Sequence, residues 1–234
     1  MTSTLFKKNF TLEETQCTII SDEQKGIQDA IESIKRNRKE LEIYVEANPK
    51  FFYTLKPIAA PEKPLVAKMM ALAGEKADVG PMAAVAGVIA DLAVNDMILA
   101  GCEVAVVEDG GEISAQSNRP VDVAVAAGEE PLSKRFGFRL TDFPIGVATS
   151  SGRFSHALSF GDAEAATVFC KNASIADAAA TAVGNVVKGE DAKEAIKAGI
   201  RRGLSIDGVD GLLIIYKGQV GTAGKIPEII KLKN

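Results

Sequence analysis

The sequence has only three cysteines, Cys17, Cys102 and Cys170, and no Cys-X-X-Cys pair. A structural zinc site or an iron–sulfur cluster is therefore unsupported. The odd count and the apolar neighbours of these residues point to reduced, buried thiols in a cytoplasmic protein. Residues 1–10 contain no apolar h-region, so no signal peptide is expected. No apolar run is long enough to cross a bilayer unbroken, because Pro81 to Ala100 is interrupted by Asp91, Asn95 and Asp96. Charge of one sign is also lacking: the net charge is −4, which gives no global attraction to nucleic acid or an anionic membrane. A basic stretch at Lys35, Arg36, Arg38 and Lys39 is flanked by Glu32, Glu40 and Glu42, and reads as a solvated helix face. No Gly-X-Ser-X-Gly elbow is present, which argues against a serine hydrolase. Histidine occurs once, at His156.

What is present suffices for one large domain or two small ones: 234 residues, 47% hydrophobic and 25% charged. Gln16 to Ile20 is short and β-rich. Ser21 and Asp22 follow as cap candidates, and Ile27, Ala30, Ile31, Ile34, Leu41 and Tyr44 then recur at mostly helical spacing. That helix should end by Asn48, before Pro49. A linker with prolines at 57, 61 and 64 follows. Gly80-Pro81 opens a mostly buried helix over 82–100 that stops at Gly101. Strands are expected at 103–108, 121–126, 145–149 and 166–170, then a second Ala-rich helix over 175–187 and an amphipathic stretch near 190–202. The chain closes with a hairpin begun by Gly211 to Tyr216. No internal repeat is obvious. Without a regular βαβ rhythm the class is α+β, with a mainly antiparallel sheet and the two Ala-rich helices packed on it.

Three segments carry residues suited to chemistry. Asp177 and Thr181 stand four apart on the second Ala-rich helix, so both oxygens share a face and can meet one hard cation such as Mg²⁺. Ser174 and Asp177 equally have the spacing of a capping box, which would make Asp177 a helix-start device. Asp109-Gly110-Gly111-Glu112 either lets a backbone approach a phosphate closely or is a plain hairpin tip. Thr149-Ser150-Ser151-Gly152 sets three hydroxyls and a glycine at a strand end, followed by His156. Hydroxyls and amides can hold a phosphate or a flavin edge, and an imidazole can move a proton near neutral pH. The other reading is a polar loop with a solvated histidine.

In order along the chain, Ala86-Gly87 to Asp91, Gly110-Gly111-Glu112-Ile113, Val147 to Gly152, His156 and Ala176-Asp177-Ala-Ala-Ala-Thr181-Ala resemble the motif series of the ApbE superfamily, over about residues 78–187. Its characterised members are FAD:protein FMN transferases with a T-fold-like α+β architecture. The resemblance implies one ApbE-like domain over 1–234, in which 1–64 form an N-terminal strand–helix and proline-containing linker and 65–234 form the core. It further implies that Asp177 and Thr181 ligate Mg²⁺, that Gly110, Gly111, Thr149, Ser150, Ser151 and Gly152 line FAD or a related flavin nucleotide, and that His156 is catalytic. The sequence departs from the pattern. Ala86 replaces a lysine, Glu112 replaces an aspartate, one serine is added in the Thr-Ser-Gly motif, and the Asp-Pro after the histidine is lost. The whole chain is more similar to a divergent, uncharacterised ApbE-like branch. The implied partner is a small phosphate-bearing ligand rather than nucleic acid or membrane, with homo-oligomerisation left open. The implied activity is FMN transfer or cleavage of the FAD pyrophosphate. The alternatives are a non-catalytic binding or sensing protein, and an enzyme acting on an unrelated substrate through the same pocket.

Overall fold

A computed structural model describes residues 4–124, 136–151 and 161–231. Its centre is an eight-stranded sheet in which every neighbouring pair is antiparallel. Two hairpins, β1 (Phe6–Leu12) with β2 (Thr15–Ser21) and β3 (Ala105–Asp109) with β4 (Glu112–Gln116), lie side by side. Next come β7 (Ile145–Ser150) and β8 (Ala165–Cys170), and the hairpin of β9 (Val209–Tyr216) and β10 (Gln219–Gly224) completes the order. Between them in sequence, β5 (Val121–Ala124) and β6 (Phe136–Leu140) join β11 (Glu228–Lys231) in a separate three-stranded antiparallel sheet.

The sheet is covered on both faces, which explains why β8 is buried at every position instead of alternating. On one face Val106, Ile113, Val147, Phe169 and Leu213 pack with Phe138 and Leu140 of the small sheet. On the other face Ile19, Val107, Ala148, Val168 and Leu212 pack beneath helices. That layer contains α1 (Gln24–Ala47), α4 (Val85–Leu99), α5 (Ala173–Val186) and α6 (Ala192–Leu204), with α2 (Pro49–Tyr53) and α3 (Leu65–Lys76) beside them.

The expected α+β class and mainly antiparallel sheet are what the structure shows. The first Ala-rich helix begins as a 3₁₀ turn, Pro81–Ala84, and continues as α4 up to Gly101, whose φ of 98° suits only glycine comfortably. By length and apolarity the Pro81–Leu99 stretch could cross a membrane, yet half of it is buried inside the protein, where Val88, Ala90, Ala93 and Met97 are core residues. Sequence reasoning left α2, α3, β1, β4, β6 and β11 unassigned.

The close packing of α4 and α5 depends on one residue. A Cβ added to Gly87 would stand 2.3 Å from the carbonyl oxygen of Ala173 and 2.9 Å from the Cβ of Asp177. Only glycine lets the first turns of the two helices approach this far.

Candidate functional site

The β3–β4 turn is a two-residue hairpin: Asp109 pairs with Glu112, and Gly110 and Gly111 both have positive φ, at 66° and 116°. Paired positive φ values are what such a turn demands, so glycine is needed for backbone geometry. The Gly110 N–H already donates to the Gln16 carbonyl oxygen at 3.3 Å. The plain-hairpin reading is therefore correct as geometry. What makes the turn chemically notable is its two flanking carboxylates.

Side chains alternate across a strand. Ile113 packs between the two sheets, so Glu112 and Ser114 lie on the helix-covered face. Asp109 reaches the same face, where it shares a hydrogen bond with the buried thiol of Cys17. Asp177 approaches from α5. Burial raises the pKa of Glu112 well above the usual carboxylate range, and the charges of Asp177 and Asp109 push it further. Asp177 is pushed up to about 7, first by burial and then by Asp109 and Asp91, against the pull of the Gly87 and Ala86 N–H groups. Asp109, only 6% exposed, is raised by burial and by Glu108, with its hydrogen bond to Cys17 and the charge of Arg38 opposing. Both aspartates thus disfavour the ionisation of Glu112, and Asp109 that of Asp177, at one end of the sheet.

A stability consequence follows for the cation-free protein. An acid whose folded pKa lies above its unfolded value binds more protons when folded, so stability falls as pH rises between the two. For Asp177 the window runs from the ordinary carboxylate value, 3.8, to about 7. In chelator, the melting temperature should decline over this range by the equivalent of about 2 kcal/mol, after discounting for partial solvation. Thermal melts across pH check this, and Asp177→Asn should flatten the decline.

Along α5 the residues Ala178, Ala179, Ala180, Ala182 and Val183 are buried, whereas Asp177, Thr181 and Asn185 are partly exposed. Spaced by four, these three form one accessible line. The metal pair named from sequence therefore shares a face, as its spacing required. Asp177 does not cap its own helix, which corrects the capping-box reading: α5 has no side-chain cap from Asn172, and the Asp177 Oδ2 instead accepts from the Gly87 N–H at 2.9 Å. The start of α5 is held by Asp91 of α4, which accepts from Ala173 N–H and Ser174 N–H, each at 2.9 Å, and from the Ser114 hydroxyl at 2.7 Å. Each aspartate caps the helix it does not belong to. The tripeptide Ile-Ala-Asp occurs at 89–91 and again at 175–177, but the recurrence does not disclose which backbone groups each aspartate reaches.

The hydroxyl segment does not converge. Val147 packs between the sheets and Ala148 packs under the helices, so Thr149 and Ser150 lie on opposite faces. Thr149 meets the Thr167 hydroxyl at 2.9 Å on the small-sheet face, whereas Ser150 lies on the face that holds Glu112. Ser151 is 7% exposed and its hydroxyl has no hydrogen-bond partner among the described residues, as expected of a group reserved for a ligand or water. Gly152 and His156 lie outside the described residues. A cavity of about 140 Å³, lined by residues such as Asp142, Phe169, Lys171 and Lys225, sits at the Ile145 end of β7, away from these groups.

A family model described as AbpE bacteria matches residues 4–211. A UPF0280 protein of Methanocaldococcus jannaschii is 38% identical over 97% of this chain and 93% of its own length, and one of Methanosarcina acetivorans is 41% identical over 96% and 89%. Among solved structures, the flavinyl transferase ApbE of Pseudomonas stutzeri, in its apo form, superposes with a TM-score of 0.62 at 14% identity, covering 94% of both chains. The apbe protein of Thermotoga maritima gives 0.59 at 14% identity, covering 94% of this chain and 97% of its own. At those identities the likeness speaks for the fold alone. The protein therefore belongs to the AbpE bacteria family, alongside the UPF0280 proteins, and has an ApbE-like fold.

Proposed function

We propose that this protein binds a flavin nucleotide, FAD or a close phosphate-bearing relative, together with Mg²⁺, and that it transfers FMN or cleaves the FAD pyrophosphate. The observation that carries this reading is the carboxylate group formed by Asp109, Glu112 and Asp177 beside the open line of α5. A pyrophosphate brought to that surface alone would be repelled, and a divalent cation removes the repulsion. The donors suit a hard cation, being the carboxylate of Asp177 and the hydroxyl of Thr181. Among the described residues no group of three or more His, Cys, Asp or Glu side chains is arranged to hold a metal by itself. An ion bound by Asp177 and Thr181 would complete its shell with phosphate and water.

Bound there, Mg²⁺ would offset the charge that builds on the pyrophosphate as it is attacked. Asp177 and Thr181 would hold the ion, and the Gly110-Gly111 turn and the Ser150–Gly152 segment would orient the nucleotide. His156 would take the proton of the attacking hydroxyl, from water or an acceptor, as its oxygen bonds to the FMN phosphorus and the pyrophosphate bridge breaks to release AMP. The likeness in fold to the flavinyl transferase ApbE of Pseudomonas stutzeri supports the ligand class.

Incubation with FAD and Mg²⁺ followed by chromatography is the test. FMN and AMP should accumulate only when Mg²⁺ is present. The departures at Ala86 and after His156 favour a second reading, a non-catalytic flavin-nucleotide binder. Mg²⁺-dependent FAD binding without either product would select that reading, and no binding at all would reject both.

A further inference from the structure

Gly87 and Asp91 are four residues apart on α4, and Ala173 and Asp177 are four apart on α5. Each aspartate reaches the first turn of the other helix, Asp177 at Gly87 and Asp91 at Ala173 and Ser174. Asp91 has one more bond, from Ser114, and Ser114 lies two residues beyond Glu112 on the same face of β4. Asp91 is therefore the point at which α4, the start of α5 and the strand carrying Glu112 are tied together. The placement of Asp177 and Thr181 relative to Glu112 depends on that tie, because α5 has no side-chain cap of its own. By contrast α6 is capped locally, by Asp191 accepting from Lys193 and Glu194 N–H.

We propose that Asp91 is a positioning residue for the cation and nucleotide site: without touching the ligand, it fixes the register of the α5 line against β4. The inference rests on the reading of Asp177 as a cation ligand. Asparagine at 91 has one oxygen where two are needed, and its amide would face a backbone N–H as donor against donor. The first turn of α5 would then be released toward solvent.

The test is calorimetric titration with FAD at graded Mg²⁺ concentrations, with melting temperatures measured in parallel. Asp91→Asn should raise the Mg²⁺ concentration for half-maximal FAD binding by about tenfold or more, as loss of an orienting partner does at metal sites. Ser114→Ala, which removes the bond to β4 and leaves those to the helix start in place, should raise it by a smaller factor than Asp91→Asn. Asp22→Asn is the matched control. Asp22 also holds two backbone N–H groups, those of Glu103 and Val104, near the end of β3 opposite Asp109. It should lower the melting temperature comparably and leave the Mg²⁺ requirement unchanged. An unchanged Mg²⁺ midpoint in both Asp91→Asn and Ser114→Ala, or an equal shift in Asp22→Asn, overturns the positioning role while leaving the proposed function standing. Absence of Mg²⁺-dependent binding in the wild type overturns both.

Discussion

Replacing Asp177 with asparagine is expected to abolish Mg²⁺-dependent FAD binding while leaving the fold intact. Asparagine keeps a carbonyl oxygen for the Gly87 N–H, which Asp177 now satisfies at 2.9 Å, so the main bond at the start of α4 is kept and only the weaker pull on the Ala86 N–H is lost. It removes the negative charge that the proposed cation would meet. A Mg²⁺ ion with only two protein ligands cannot lose its anionic one cheaply, and the expected loss in affinity is about 10³-fold, roughly 4 kcal/mol. Alanine makes an instructive second variant, because it removes the cap as well and should cost about 1 kcal/mol of stability in addition. Calorimetric titration of FAD with Mg²⁺ separates these effects. Equal binding by wild type and Asp177→Asn would remove Asp177 from the site.

Turnover should be most sensitive at His156. It is the sole imidazole in the chain, and it follows the segment whose hydroxyl at Ser151 is buried and unpartnered among the described residues. A rate governed by a group titrating near pH 6.5 is expected for the wild type. His156→Asn preserves size and polarity but removes proton exchange. Turnover should fall roughly 10²–10⁴-fold while FAD affinity changes far less. A variant with an unchanged pH–rate profile would end the catalytic assignment.

The sequence was most legible where periodicity is strong and local. The Ala-rich α4 and α5, the charged amphipathic α1 and the closing β9–β10 hairpin all declare themselves by spacing. Elements whose partners are remote did not. β1, with the sequence FKKNFTL, is mostly exposed and carries little apolar pattern. β6 and β11 become strands by pairing with each other across the chain. The candidate site divides in the same way. The shared face of Asp177 and Thr181 follows from helical period alone, and the divergence of Thr149 and Ser150 was also available from strand period. The joining of Asp109, Glu112 and Asp177 was not available, because it depends on how a hairpin turn meets a helix more than sixty residues later. Nor was the true partner of Asp177, since Ser174 offered a nearer and chemically reasonable one, and only the packing allowed by Gly87 shows why the remote bond forms.

The exchanged caps have a consequence for folding. An isolated helix pays most of its cost in its first turn, and α4 and α5 each borrow the means of meeting that cost from the other. Neither can form its first turn with its full complement of bonds until both are docked. Helix initiation, usually the most local event in a chain, is here a tertiary contact spanning more than eighty residues. The pair should therefore order and open as a single cooperative unit, and the face of α5 that carries Asp177 and Thr181 cannot loosen without α4 losing its own beginning.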